Sequence, residues 1–119
     1  MMSGTNENKA IPQELTFSLS NEEIKQKAEE IASWHNSYDV YIWLWAEVEV
    51  KLATAYKITV NEDGIDVKVD PSRVMLEPPE RKITELATQM SVGRPKLQDV
   101  HWFSAESQLI LEKVKKVLR

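Results

Sequence analysis

Cysteine is absent from the 119-residue sequence. That excludes a disulfide framework and any thiolate metal site, and it fits a reducing compartment such as the cytoplasm. Glycine occurs only at Gly4, Gly64 and Gly93, too scattered to build a phosphate-cradling loop. The two histidines, His35 and His101, stand in no metal-ligand spacing. With no nucleophile elbow and no paired-carboxylate motif, no enzyme activity, metal or cofactor is expected. Long apolar runs are missing too. The longest, Val40–Ala46, is far too short to cross a bilayer, so no membrane partner is expected. The polar opening Met1-Met2-Ser3-Gly4-Thr5-Asn6-Glu7 does not read as a signal peptide.

What is present suits one small globular domain. Hydrophobic residues make up 42% and charged residues 29%, enough apolar material for a real core at this length. The net charge of −4 argues against a nucleic-acid footprint over the whole protein. The charge is uneven, however. Residues 1–78 hold seven Lys/Arg against fourteen Asp/Glu, while residues 79–119 hold eight against five. Lys113, Lys115, Lys116 and Arg119 complement the dipole of a C-terminal helix. Arg81, Lys82, Arg94 and Lys96 have no such explanation.

The stretch Val40–Val60 organises the pattern. Its even positions, from Val40, Ile42 and Leu44 to Ile58 and Val60, are apolar, and from Glu47 on its odd positions are mostly polar. Period-two alternation predicts strand. A helical reading also exists, since Val40, Leu44, Val48, Leu52 and Tyr56 recur every four residues; it would leave Ile42, Val50 and Ile58 facing water. As a strand the stretch would be roughly 70 Å long, too long for this domain, so the chain must turn near Leu52–Ala53–Thr54. Parity then predicts Val48 beside Ile58 and Glu49 opposite Lys57. Asn61-Glu62-Asp63-Gly64 is turn chemistry, and it pairs Val60 with Ile65, Ile58 with Val67 and Tyr56 with Val69. The acids Glu47, Glu49 and Asp66 would share the solvated face of this meander.

Residues 1–13 read as a disordered tail, and residues 14–119 as a single domain. Leu15, Phe17 and Leu19 alternate as a short strand. Ser20 and Glu23 form a capping box for a helix whose stripe is Ile24, Ala28, Ile31 and Ala32. Strand, helix and long strand make a βαβ unit that would set the first strand parallel to the long one. Val74-Met75-Leu76 suits a short edge strand. Pro79 opens a helix striped by Ile83, Leu86, Ala87 and Met90 and stopped by Gly93; Pro95 opens a second, short helix, and Ser104 caps a third. Tyr41, Trp43 and Trp45 make both faces of the first part of the long strand apolar. They are candidates for an intrachain core or for a partner interface, including a homodimer contact.

One constellation has a specific functional reading. Over Ile83–Trp102, Leu86 and Ala87 supply an apolar and a small residue, Met90 and Val92 stand at a turn, and Leu97 and Val100 take buried positions on a following helix. The segment resembles a helix-turn-helix, the two-helix DNA-reading motif. The resemblance implies that Arg94, Lys96 and Gln98 face DNA, with Arg81 and Lys82 as further basic contacts. Ser91 stands where that motif usually has glycine, and Asp99 would repel phosphate.

The sequence therefore predicts an α+β domain: an antiparallel meander, extendable by the N-terminal strand, covered by an N-terminal helix and a C-terminal three-helix segment. The expected function is non-enzymatic binding, as a small acidic cytoplasmic DNA-binding regulator. The alternative is a homodimeric adaptor or inhibitor that meets a protein partner through its aromatic strand and acidic sheet face.

Overall fold

In the computed structural model, which describes residues 14–118, three strands and four α-helices share one core. The disordered tail expected over residues 1–13 lies outside the described residues. The chain runs β1 (Leu15–Ser20), α1 (Asn21–Ala32), α2 (Tyr38–Leu52), β2 (Tyr56–Asn61), β3 (Gly64–Val69), a 3-10 turn (Pro71–Arg73), α3 (Glu80–Val92) and α4 (Leu97–Leu118). The α+β class, the antiparallel sheet, the N-terminal helix and the C-terminal helices are as expected.

The hairpin has the register that parity predicts: Val60 faces Ile65, Ile58 faces Val67 and Tyr56 faces Val69. The Asn61 side chain accepts the Asp63 N–H at 2.9 Å, which closes the two-residue turn. β1 adds to the other side of β3, so Leu19, Phe17 and Leu15 extend the same three apolar rows. At the start of α1 the Ser20 hydroxyl accepts the Glu23 N–H at 3.0 Å, and the Glu23 carboxylate accepts the Ser20 N–H at 2.9 Å. Leu19 and Ile24, on either side of this capping box, are both buried.

The largest correction concerns Val40–Val60. Its first part is helix α2, and only Tyr56–Asn61 is strand. The reason is that the apolar residues of α2 are spread around all its sides and the rest of the chain covers it from Tyr41 on. From Tyr41 to Leu52 each residue is buried or half-buried. A helix with no polar face loses the 3.6-residue rhythm that separates it from a strand. Ser37 caps α2: its hydroxyl accepts the Val40 N–H. Fifteen residues then rise ~22 Å instead of the ~50 Å they would need if extended. The Val48–Ile58 neighbour pair and the Glu49–Lys57 cross-strand pair therefore do not form. The chain does turn at Leu52–Thr54, where Ala53 takes φ 45° and its N–H reaches the Glu49 carbonyl.

Three smaller corrections follow. With no long strand available, β1 lies antiparallel to β3 rather than parallel to residues 40–60. Val74–Leu76 is not a strand; its Met75 N–H donates to the Lys51 carbonyl at the end of α2, at 2.8 Å. The short helix after Pro95 and the helix expected from Ser104 are one 22-residue helix, so the C-terminal segment has two helices, not three. No glycine or proline interrupts residues 97–118, and Ser104 is buried inside the helix rather than capping it.

α4 packs on α1 and α2 and shares the core with the sheet, while α3 packs on α2 with little contact to α4. Ile65, Val67 and Val69 meet Val100, Ile110 and Val114 of α4 and Ile42 and Leu52 of α2 in the core.

Candidate functional site

The residues implied by the helix-turn-helix resemblance fall into two places. Arg94, Lys96 and Gln98 are exposed at the α3–α4 corner. Arg94 has φ 48°, and its N–H donates to the Ser91 carbonyl at 3.0 Å. The Tyr38 hydroxyl donates to the Pro95 carbonyl at 2.6 Å and ties this corner to the start of α2. Arg81 and Lys82, also exposed, stand in the first turn of α3, ~18 Å away along the helix. Each of the two helices packs on α2, with little contact between them.

The aromatic segment is also divided. Tyr41 is buried, and its hydroxyl donates to the Ile31 carbonyl at 2.7 Å; His101 meets its ring edge-on at 4.6 Å. Tyr41 is thus an intrachain core residue and not part of a partner surface. On a helix the i, i+2, i+4 spacing turns Trp43 away from Tyr41 and Trp45, so no continuous aromatic face exists. Trp43 is half-buried. Trp45 lines a cleft.

That cleft, about 150 Å³, opens between α2, α4 and β2. Trp45 and Glu49 of α2 and Phe103 and Glu106 of α4 line it, and each glutamate accepts from the tryptophan four residues before it. On α2, Trp45 Nε1 donates to Glu49 at 3.2 Å; on α4, Trp102 Nε1 donates to Glu106 at 3.2 Å. Phe103 stacks on Trp45 with ring centroids 5.8 Å apart and planes 18° from parallel. From β2, the Tyr56 hydroxyl donates to the other Glu49 oxygen at 2.8 Å, and the buried Ser107 hydroxyl also meets the Glu49 carboxylate. Tyr56 and Ile58 form the strand wall.

Glu49 thus accepts from three side chains, yet among the described residues neither Glu49 nor Glu106 has a cation within 4.0 Å. Burial pushes the Glu106 carboxyl above the usual range; the Trp102 bond opposes that shift and the negative charge of Glu49 adds to it. Burial, reinforced by Glu49, likewise pushes the Tyr56 phenol up. A carboxyl raised in the folded state is a destabilising charge at neutral pH. That penalty fades as pH falls through the folded value, and it is gone below the unfolded one. Glu106→Gln keeps an acceptor for Trp102 and removes the charge. It should melt at a higher temperature than the wild type at pH 7, with the gap closing toward pH ~4, where the unfolded carboxyl takes up its proton. Thermal melts of both proteins from pH 4 to 8 check this.

The arrangement can hold a cation or a hydrogen-bond donor. Among the described residues no group of three or more His, Cys, Asp and Glu is placed to share a metal ion. Sequence reasoning missed the cleft, although one signal was available: the pattern Trp-x-x-x-Glu occurs three times, at Trp43–Glu47, Trp45–Glu49 and Trp102–Glu106, and the last two are the ones whose glutamates line the cleft. It becomes readable once both segments are known to be helical. No protein family, curated protein or solved structure matches this chain.

Proposed function

We propose that this chain is a non-enzymatic binding protein that takes a protein partner along the open edge of β2. One observation carries the reading: the apolar rows of the sheet end uncovered at this strand. Val67 and Ile65 of β3 are 1% and 3% exposed, but their row neighbours Ile58 and Val60 are 39% and 74% exposed. Asn61 and Gly64 close a two-residue hairpin, so alternate pairs leave the N–H and C=O groups of Ile58 and Val60 pointing away from β3. Among the described residues no backbone partner from outside the sheet meets them. An edge with free backbone groups and apolar side chains is a template for one more strand.

Selection from a random heptapeptide display library tests this. Peptides selected on the wild type should shift the amide resonances of Ile58 and Val60. They should fail on Val60→Pro, which removes an outward N–H and spares the β3 ladder. Selected peptides that shift other residues instead would overturn the reading.

DNA binding is the second reading, and the joint exposure of Arg94, Lys96 and Gln98 favours it. The divergence of α3 and α4 supports it less, since a reading head needs its two helices braced on each other. If DNA is the ligand, duplex affinity should be greatest at low salt and fall steeply as salt rises, and Arg94→Ala should weaken it by about 1–3 kcal/mol. No binding to any duplex at low salt would end that reading.

A further inference from the structure

We infer that the strand accepted by β2 carries a lysine or arginine whose cation enters the cleft between Glu49 and Glu106. The inference rests on the protein-binding reading above and names the chemistry of the partner.

The cleft and the edge are one surface. Tyr56 and Ile58 belong to the cleft wall, and Ile58 is also on the open edge. A strand paired with β2 lies about 4.8 Å beyond it, and every second side chain points to the helix-covered face. The inward side chain opposite Ile58 therefore arrives at the mouth of the cleft.

Charge decides what that side chain is. Two half-buried carboxylates line the same small space, and neither has a cation among the described residues. Among the described residues the lysines in ion pairs go elsewhere, Lys51 to Glu47 at 3.7 Å and Lys27 to Glu112 at 2.9 Å, and Lys82, which lines a separate pocket with Glu49, comes no closer than 4.0 Å to either carboxylate. An incoming ammonium or guanidinium offsets the repulsion between Glu49 and Glu106. The rings of Trp45 and Phe103 beside the carboxylates add cation–π attraction. An acidic side chain is repelled. An apolar one fills the volume and leaves both charges further desolvated.

The same argument sets aside a second copy of this chain. Two β2 edges paired about Ile58 would bring only Tyr56, Ile58 and Val60 to the helix-covered face. That leaves both carboxylates without a cation.

The peptide selection tests the inference directly. Peptides recovered on the wild type should share a basic residue at one position. Replacing that residue by norleucine in a synthetic copy should weaken binding tenfold or more, and the difference should shrink with added salt. On Glu106→Gln the preference for the basic residue should fall, while affinity for the norleucine copy stays. Peptides that shift the Ile58 and Val60 amides with no basic preference would overturn this inference and leave the protein-binding reading intact. Peptides that bind elsewhere, or none at all, would overturn both. Sedimentation of the free protein covers the remaining occupant: a dimer dispersed by Val60→Pro would show that a second copy holds the edge. Should Glu106→Gln fail to fold, the salt dependence of the lysine-to-norleucine difference on the wild type decides.

Discussion

Gly64→Ala is expected to destabilise the protein by about 3 kcal/mol or more, enough to lower the melting temperature by more than about ten degrees. Gly64 begins β3 with φ 154°, a backbone region that side chains rarely enter. The strain is the smaller part. A Cβ at this position would lie 2.0 Å from the Leu19 carbonyl oxygen and 2.9 Å from the Ser20 Cα, both backbone atoms of β1. Neither can swing aside as a side chain could, so β1 must move off β3. That would uncover Leu19 and Ile65 and disturb the capping box that follows directly in the chain. Gly93→Ala is the control. Gly93 has φ −72°, and a Cβ there meets only the Met90 carbonyl oxygen, at an ordinary 3.6 Å. It should be neutral, or stabilising by about 0.4–1 kcal/mol through a less flexible unfolded chain. Urea denaturation of the two variants beside the wild type separates the cases. Equal stability for both would contradict the packing of β1 on β3.

Ile42→Ala should cost about 2–5 kcal/mol, while Val40→Ala, two residues earlier, should stay within about 0.5 kcal/mol of the wild type. The two residues shared a buried face in the strand pattern. On α2 they are turned about 200° apart, and Ile42 is 1% exposed against 42% for Val40. Truncating Ile42 opens a cavity among the core residues of α2, α4 and the sheet, which are too closely packed to collapse fully into it. Truncating Val40 removes a side chain that is largely in water. Similar losses from both variants in urea denaturation would restore the strand assignment for this segment.

Much of the fold was legible locally. The β2–β3 register follows from alternation and from an Asn-Glu-Asp-Gly turn, because a strand with one covered face has only one parity that works. The start of α1 follows from Ser20 and Glu23, and the end of α3 from Gly93, since caps involve only neighbouring residues. Local signals misled at Val74–Leu76, which is not a strand, at Ser104 and over Val40–Leu52. Ser104 resembles a helix cap, but a serine also fits inside a helix that packing supports on both sides, and α4 runs straight through it. Val40–Leu52 resembles a strand because, from Tyr41 on, its surroundings cover every side of it.

The sequence by itself determined the class of the domain, its hairpin, its helix caps and the absence of thiol chemistry. It set Arg94, Lys96 and Gln98 together as exposed positions of one helix, whereas Arg94 and Lys96 lie in the connection before α4 and only Gln98 is in its first turn. Only the tertiary structure decided that α2 is a helix, that β1 joins β3, and that the sheet ends uncovered at β2. It alone brought Trp45 and Glu49 to Phe103, Glu106 and Ser107, which stand more than fifty residues further along the chain. The reason is physical. Periodicity records which face of an element is covered, but not what covers it. Once every face is covered, as on α2, periodicity carries no preference, and the outcome depends on which distant surfaces remain to be buried.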